Sequence, residues 1–99
     1  MLNQVILIGR VSQVKKVKGV ITQFHLNIPR SHEPEVDSPI IQVNEGLSES
    51  IKYFVEDDAL LAVKGRIETV IRGGYGTVTS IVAERITYLR KKLDENNSP

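Results

Sequence analysis

The segment that most constrains the fold is a short apolar run near the start of the chain. Residues 5–8 read VILI, and Gly9 and Arg10 end the run. Val and Ile are β-branched and favour strands. Successive side chains of a strand point to opposite faces, so an unbroken apolar run predicts a strand that is covered on both faces. We therefore expect a first strand over residues 2–11.

Length and composition place the chain among single-domain globular proteins. Its 99 residues are enough for one core, and 40% hydrophobic with 25% charged residues is ordinary for a soluble domain. The chain has no cysteine, which excludes disulfides and thiolate metal sites. Its apolar runs are shorter than the roughly 18 residues of a membrane span, and residues 5–8 are too few for a signal peptide. We expect a cytoplasmic protein that contacts no membrane.

Residues 20–28 alternate between apolar and polar positions, which is typical of a half-buried strand. One face carries Val20, Thr22, Phe24, Leu26 and Ile28, and the other carries Gln23, His25 and Asn27. Pro29 ends this second strand. The polar and basic residues 12–19 between the two strands predict a loop that closes at Gly19.

Residues 30–39 predict an exposed loop, and a short strand and a helix are expected after it. Residues 40–43 predict a short third strand, and Asn44 is suited to cap a helix. The spacing of Leu47, Ile51, Phe54 and Val55 gives that helix one apolar face. The acidic residues 56–58 oppose the helix dipole at its C-terminus, and we interpret them as the exit turn.

Two long strands complete the pattern. In residues 60–71, Leu61, Val63, Gly65 and Ile67 share one face, and Lys64, Arg66 and Glu68 share the other. Gly65 inside this strand indicates a bend or the close approach of another backbone. The sequence RGGYG at residues 72–76 predicts a hairpin turn into a fifth strand at residues 77–89.

The order of elements predicts an all-β fold with one short helix. Five strands with the helix between strands 3 and 4 match the five-stranded oligonucleotide/oligosaccharide-binding (OB) barrel. Small β-barrels of other topologies remain the alternative. We place one OB-fold domain at residues 1–90 and a polar C-terminal tail at residues 91–99.

Four blocks of sequence resemble bacterial single-stranded DNA-binding proteins, in order and without large gaps. They are residues 3–9 (NQVILIG), 20–26 (VITQFHL), 45–49 (EGLSE, leading to Ile51 and Tyr53) and 63–67 (VKGRI). The resemblance covers most of the chain. It implies an OB-fold, single-stranded DNA as ligand, no cofactor, and a homo-oligomer in which a tetramer is favoured over a dimer. Primosomal replication protein N is a related possibility.

The chain departs from that family at its aromatic positions. Members stack bases on Trp and Phe, whereas this chain has no Trp. The usual aromatic positions fall near Pro39 and Ile40, at about Asn44 and near Arg72. Residues 93–99 also lack the family's acidic tail with a terminal aromatic residue. Stacking contributes roughly 1–3 kcal/mol per base, so its loss predicts weaker binding or more phosphate contacts with steeper salt dependence.

The net charge of +1 is small, but the cations are unevenly placed. Lysines in the first loop are expected to contact phosphates, while Arg, Tyr and His side chains can contact or stack on bases. The predicted nucleic-acid-binding residues are Arg10, Lys15, Lys16, Lys18, His25, Lys64, Arg66, Arg72 and Tyr75. The alternative for each is an ordinary solvated loop or strand face. Tyr53 and Tyr88 are expected to serve in packing or interfaces.

The sequence contains no recognisable catalytic constellation, phosphate loop or metal-ligand spacing, so we predict a non-enzyme without metal, cofactor or small-molecule substrate. The expected role is protection of single-stranded DNA in replication, repair or recombination, in the nucleoid. Two alternatives stay open: an OB-fold protein-interaction or assembly module, and a replication-restart accessory protein with weak or no DNA binding. RNA binding is also open, since nothing here selects for or against a 2′-hydroxyl.

Overall fold

A computed structural model describes residues 1–90, which form six strands and one helix. The elements are β1 (Val5–Val17), β2 (Val20–Pro29), β3 (Val36–Asp37), β4 (Ile40–Gln42), α1 (Glu45–Ile51), β5 (Leu60–Arg72) and β6 (Gly76–Arg90). The predicted tail at residues 91–99 lies outside the described residues.

Five of the strands close into a ring. The order around it is β1, β2, β4, β6, β5 and back to β1, and every pairing is antiparallel except that of β4 with β6. The inward-facing side chains of the ring pack against one another and form the core, so no second sheet is needed to cover them. The predicted all-β OB-fold with one short helix is confirmed.

The sequence predicts the helix between the third and fourth strands, but an additional short strand changes this numbering. Val36 and Asp37 form an extra two-residue strand, β3, which pairs with Pro29 and Ile28 at the end of β2. The helix therefore lies between the fourth and fifth strands instead of the third and fourth. Its place in the ring is unaffected, because β3 lies outside the five-stranded ring. The backbone pairing of residues 36 and 37 is what the loop prediction for residues 30–39 missed.

The predicted loop at residues 12–19 is confirmed only at Lys18 and Gly19, because β1 continues to Val17. Two register shifts follow Ser12, and Gln13 has a φ of 52°, so a bulge absorbs the irregularity and the strand resumes. The hairpin then closes through Lys18 and Gly19, whose φ angles are 52° and 80°. Positive φ at both central residues is the geometry of a tight two-residue turn. Lys15 and Lys16 are therefore strand residues.

The start of β1 also differs from the prediction, since the strand begins at Val5 and not at residue 2. Asn3 nevertheless extends the contact with β5. Its Nδ2 donates to the carbonyl of Ile67 at 2.7 Å, and its Oδ1 accepts from the Ile67 N–H at 2.9 Å. The side-chain amide of Asn3 thus bonds β5 as a backbone peptide group would.

The core lies inside the ring and beneath α1. It comprises Val11, Ile21, Phe24, Leu26, Ile41, Val43, Ile51, Val55, Ala59, Leu61, Val63 and Ala83. The predicted inward positions Phe24 and Leu26 are confirmed. Ile21 is also buried, although the predicted inward face of β2 does not include it; it lies in the part of β2 that pairs with the irregular stretch of β1. Ile67, predicted inward, is 45% exposed because the β5–β6 hairpin extends beyond the barrel.

Asn44 caps α1 as predicted, its Oδ1 accepting from the Leu47 N–H at 2.8 Å. The helix ends at Ile51, earlier than the apolar spacing indicated, although Val55 is still buried. Phe54 stacks on Tyr88 with 5.2 Å between ring centroids, so Tyr88 is a packing residue as expected. Tyr53 is 84% exposed and does not pack within the chain, so its expected role in an interface stays a prediction.

Gly65 confirms the predicted close approach of another backbone. A Cβ atom at this position would lie 2.3 Å from the carbonyl oxygen of Val82. Gly65 pairs with Ala83 and Lys64 pairs with Arg85, so Glu84 is an extra residue in β6 at this point. The bulge turns β6 toward Gly65, and only glycine leaves room for it.

Candidate nucleic-acid interface

The outer side of the barrel carries a row of side chains across all five strands of the ring. Cross-strand partners share a face, and here Lys15 of β1 pairs with Gln23 of β2, which pairs with Gln42 of β4. Gln42 pairs with Val82 of β6, and Val82 pairs with Arg66 of β5. The row, named here the amide row, therefore begins and ends with a cation and has two amides at its centre.

A second row runs beside the amide row on β1, β2 and β4. His25 lies between Ser12 and Ile40 in the strand pairing, and its side chain is half-buried. The neighbouring Asn27 donates from Nδ2 to Ser12 Oγ at 3.0 Å and accepts at Oδ1 from the Ser38 hydroxyl at 2.7 Å. The surface made by both rows is polar and rich in hydrogen-bonding groups. Neither row contains an aromatic ring other than the imidazole of His25.

The β1–β2 hairpin divides its three lysines between different sides. Adjacent strand residues face opposite sides, so Lys15 shares the side of Gln23, whereas Lys16 lies opposite Ile21. Lys18 lies in the turn. The ion pairs among the described residues include none of these three lysines. Their charges are therefore available to an anionic ligand, and Lys15 belongs to the amide row itself.

The tip of the β5–β6 hairpin brings Arg72 and Tyr75 together. The Tyr75 N–H donates to the Arg72 carbonyl at 2.9 Å, and the Tyr75 side chain is 87% exposed. Gly74 has a φ of 82°, which lets the chain reverse within this turn. The exposed ring of Tyr75 is suited to stack on a base, and Arg72 in the same turn is suited to contact a phosphate.

Lys64 and Arg66 do not form one cluster, although they occupy the same side of β5. Arg66 ends the amide row and forms an ion pair with Glu68 at 2.8 Å. Lys64 lies one row away, between Ile6 of β1 and Arg85 of β6. Arg85 was absent from the predicted site. Its pairing depends on the extra residue Glu84, which the spacing of the sequence does not reveal.

Arg10 makes its contact within the protein. Its Nη1 donates to the carbonyl oxygen of Asp58 at 2.7 Å, and the side chain is half-buried. Asp58 N–H in turn donates to the carbonyl of Val11. Arg10 therefore ties the turn that leads into β5 to the middle of β1.

An acidic loop borders the far end of β2. Arg30 bonds Asp37 at 3.0 Å and Glu33 at 2.8 Å, and these hydrogen bonds, that to Asp37 first, raise the pKa of the Arg30 guanidinium above its usual value. Glu35 lies in the same loop. Since the acids outnumber the nearby cation, this end of the barrel repels phosphates. A polyanion is thus directed toward the amide row and the two hairpin tips.

Other kinds of site find little support in residues 1–90. No group of three or more His, Asp or Glu side chains in this part of the chain is placed to hold a metal ion. The helix of the described residues is too short to cross a membrane.

Comparison with solved structures identifies the fold. The chain superimposes on the mitochondrial single-stranded DNA-binding protein Rim1 of S. cerevisiae with a TM-score of 0.71 and 20% identity, covering 92% of this chain and 98% of that one. A second crystal form of Rim1 gives a TM-score of 0.69, 18% identity, and coverage of 92% and 97%. The N-terminal domain of PriB from Thermoanaerobacter tencongensis, a dimeric structure, gives 0.65, 20% identity, and coverage of 90% and 98%.

No protein-family model and no curated protein sequence matches this chain. At identities of 18–20%, the structural neighbours show the fold alone. The resemblance to single-stranded DNA-binding proteins is therefore confirmed at the level of the barrel.

Proposed function

We propose that this protein binds single-stranded DNA with little sequence preference and protects it in replication, repair or recombination. The observation that carries the proposal is the amide row, which is flanked by the lysine hairpin on one side and the Arg72–Tyr75 tip on the other. OB-folds bind oligonucleotides on this face and with these two loops. The structural neighbours named as single-stranded DNA-binding proteins support the same function.

The binding mode we propose relies on phosphates more than on stacking. Lys15, Lys18 and Arg72 contact the backbone, Tyr75 stacks on one base, and the glutamine amides hydrogen-bond to bases or sugars. Phosphate contacts carry no sequence information, and a stacking ring accepts any base. Low sequence preference and strong salt dependence follow from this balance. No step of this function requires catalysis or a cofactor.

The proposal predicts a defined change in salt dependence when the hairpin lysines lose their charge. For single strands, each neutralised phosphate contributes about 0.7 to the slope of log affinity against log salt concentration. Replacing Lys15→Gln and Lys18→Gln together should therefore reduce the slope by about 1.4. Fluorescence anisotropy with a labelled oligothymidine at several salt concentrations measures it.

Two control variants make that measurement specific. Lys16→Gln removes a charge from the opposite side of the same hairpin, and Lys52→Gln removes one from the helix end, where Lys52 pairs with Glu49 at 2.8 Å. Both should change the slope by less than the double variant does. If the unaltered protein shows no binding at low salt, single-stranded DNA is not its ligand.

The proposed assembly is a homo-oligomer formed through β1. Residues 5–8 pair with β5 on one side, whereas the described pairing with β2 begins at Arg10 and Gly9 already lies against Asn27, so the other edge of β1 is open along residues 5–8. Ile6 and Ile8 are 66% and 54% exposed beside this edge. An open apolar edge favours the addition of another strand, and antiparallel pairing with a second copy satisfies both edges by two-fold symmetry. The dimeric PriB domain supports an oligomer.

Charge placed at this edge should separate the subunits. We expect Ile6→Asp with Ile8→Asp to yield a monomer, because pairing would bring like charges together in a desolvated contact. Mass measurement by light scattering or native mass spectrometry tests this, with Ile71→Asp on the exposed hairpin as the control. A monomeric unaltered protein would contradict the proposed assembly. The same measurement tells a dimer from the tetramer, which stays a prediction.

The second candidate is an OB-fold interaction or assembly module, including a replication-restart accessory protein. Two observations favour it: the outer rows lack Trp, Phe and Tyr, and the exposed Ile6 and Ile8 offer a protein-binding surface. A mobility-shift assay with single-stranded DNA, duplex DNA and RNA at two salt concentrations separates the candidates. Absence of a shift with any nucleic acid would favour the module. A cytoplasmic, nucleoid-associated location stays a prediction.

A further inference from the structure

Two cations face each other on the outside of the β5–β6 pair without an acidic partner. Lys64 and Arg85 are direct cross-strand partners, and both side chains are exposed. Like charges directly opposite each other on neighbouring strands repel and destabilise the pairing. None of the ion pairs found among residues 1–90 includes Lys64 or Arg85.

Three other cations of the described residues are neutralised by nearby carboxylates. Arg30 holds two carboxylates, Lys52 pairs with Glu49, and Arg66 pairs with Glu68. Lys64 and Arg85 are in no such ion pair, so two cations lie on one small area, with the exposed Glu84 of the bulge next to Arg85 in the chain. An anion that contacts both side chains would remove their mutual repulsion and form two charge-assisted hydrogen bonds.

The surroundings of the pair indicate what kind of anion fits. Ala62 opposite Thr87 forms the next row, and Ile6, which we assign to the contact between subunits, lies beside Lys64 in the same row. The surface therefore offers two cations next to apolar and small side chains. A polyanion that also carries apolar groups, such as a nucleotide chain with its bases, matches this combination better than a free inorganic anion.

The pair is also connected to the interface described above. Lys64 lies two residues from Arg66 on the same side of β5, a separation of about 6.6 Å at 3.3 Å per strand residue. Arg66 is the end of the amide row. A strand that crosses β2, β4 and β6 along this row arrives at Arg66 and meets the Lys64–Arg85 pair next.

We propose that Lys64 and Arg85 form a second phosphate-binding site, which continues the path of single-stranded DNA around the barrel from Arg66. This inference rests on the proposed function. It assigns a role to Arg85 and gives Lys64 a place on the path separate from the amide row. The assembly proposed above is formed through β1, whereas Lys64 and Arg85 lie on β5 and β6.

The test compares oligonucleotides of different length. OB-folds cover about 4–16 nucleotides each, so longer oligothymidines within that range contact more of the proposed path. We expect Lys64→Gln with Arg85→Gln to leave the affinity for the shortest bound oligonucleotide unchanged. For the longest, the salt slope should fall by about 1.4, the contribution of two phosphates on a single strand.

Lys52→Gln with Arg30→Gln is the matched control, because it removes the same net charge from positions off the path. Lys64→Arg with Arg85→Lys should retain the slope, and thermal unfolding confirms that each variant is folded. An unaltered slope for Lys64→Gln with Arg85→Gln, or a loss equal to that of the control, overturns this site while leaving the proposed function intact. Failure of the unaltered protein to bind any oligothymidine refutes the proposed function itself.

Discussion

Replacing Phe24 by alanine should lower the free energy of unfolding by about 3–5 kcal/mol, the usual cost of deleting a fully buried aromatic side chain. Phe24 has no exposed surface and lies opposite Ile41 at the centre of the β2–β4 pair. The cavity left behind would be lined by strands of a closed ring, which cannot collapse freely onto it. For a domain with a total stability of about 5–15 kcal/mol, this is a large fraction.

Denaturant unfolding followed by far-ultraviolet circular dichroism measures the loss. The control is Ile71→Ala, which removes an aliphatic side chain that is 84% exposed and should change stability by less than about 0.5 kcal/mol. The melting temperature of the Phe24→Ala variant should fall by at least about 12 °C. Equal stabilities of the two variants would mean that Phe24 is not in the core.

The substitution Gly65→Val should cost about 3 kcal/mol and also disturb the outer surface. The new Cβ would lie 2.3 Å from the carbonyl oxygen of Val82, a contact between backbone and side chain that no rotamer relieves. Either β5 or β6 must move, and overpacking of this kind is destabilising. Because the bulge at Glu84 sets Lys64 opposite Arg85, its displacement should change the pairing of these cations as well.

Gly73→Ala is the matched control for that substitution, since a Cβ there meets no atom within 4 Å. The two variants should differ by about 3 kcal/mol in denaturant unfolding. Folded Gly65→Val protein, if obtained at low temperature, should bind long oligothymidines less tightly than the control does. Comparable stability of the two variants would show that the β5–β6 bulge can rearrange at little cost.

The sequence predicts most of the barrel because local chemistry decides those parts. The alternation around Phe24 and Leu26 gives the inner face of β2, Asn44 supplies the helix cap, and Gly65 marks the close approach of another strand. Each of these depends on residues near one another in the chain. The residues 72–76, with their glycines, likewise identify the β5–β6 turn.

The features that the sequence does not predict depend on the register between strands or on pairing between residues that are distant in the chain. Lys15 and Lys16 look like loop residues because their neighbourhood is basic, but the bulge at Gln13 returns them to β1. The pairing of Lys64 with Arg85 depends on the extra residue Glu84 in another strand. A single sequence contains no signal for such registers, since shifting one strand by one residue leaves its composition unchanged.

The candidate interface likewise contains residues whose placement can be predicted from the sequence and residues whose placement cannot. The tip residues Arg72 and Tyr75 are recognisable from their turn, and His25 from its place on the polar face of β2. Arg10 resembles an exposed cation at the end of an apolar run, yet its guanidinium bonds the Asp58 carbonyl. Which cations face solvent is decided by the packing of turns against strands, and this information is absent from the sequence of either element.

Closure of the ring also determines how quickly the protein acquires its structure. The β1–β2 and β5–β6 hairpins join neighbouring segments, whereas the pairing of Val5 with Gly65 and of Ile41 with Ile81 joins distant ones. Chains dominated by distant pairings fold in milliseconds to seconds, slower than helical bundles. Until β1 meets β5, both strands have open edges, which favour misassembly at high concentration. Refolding yield should therefore rise on dilution.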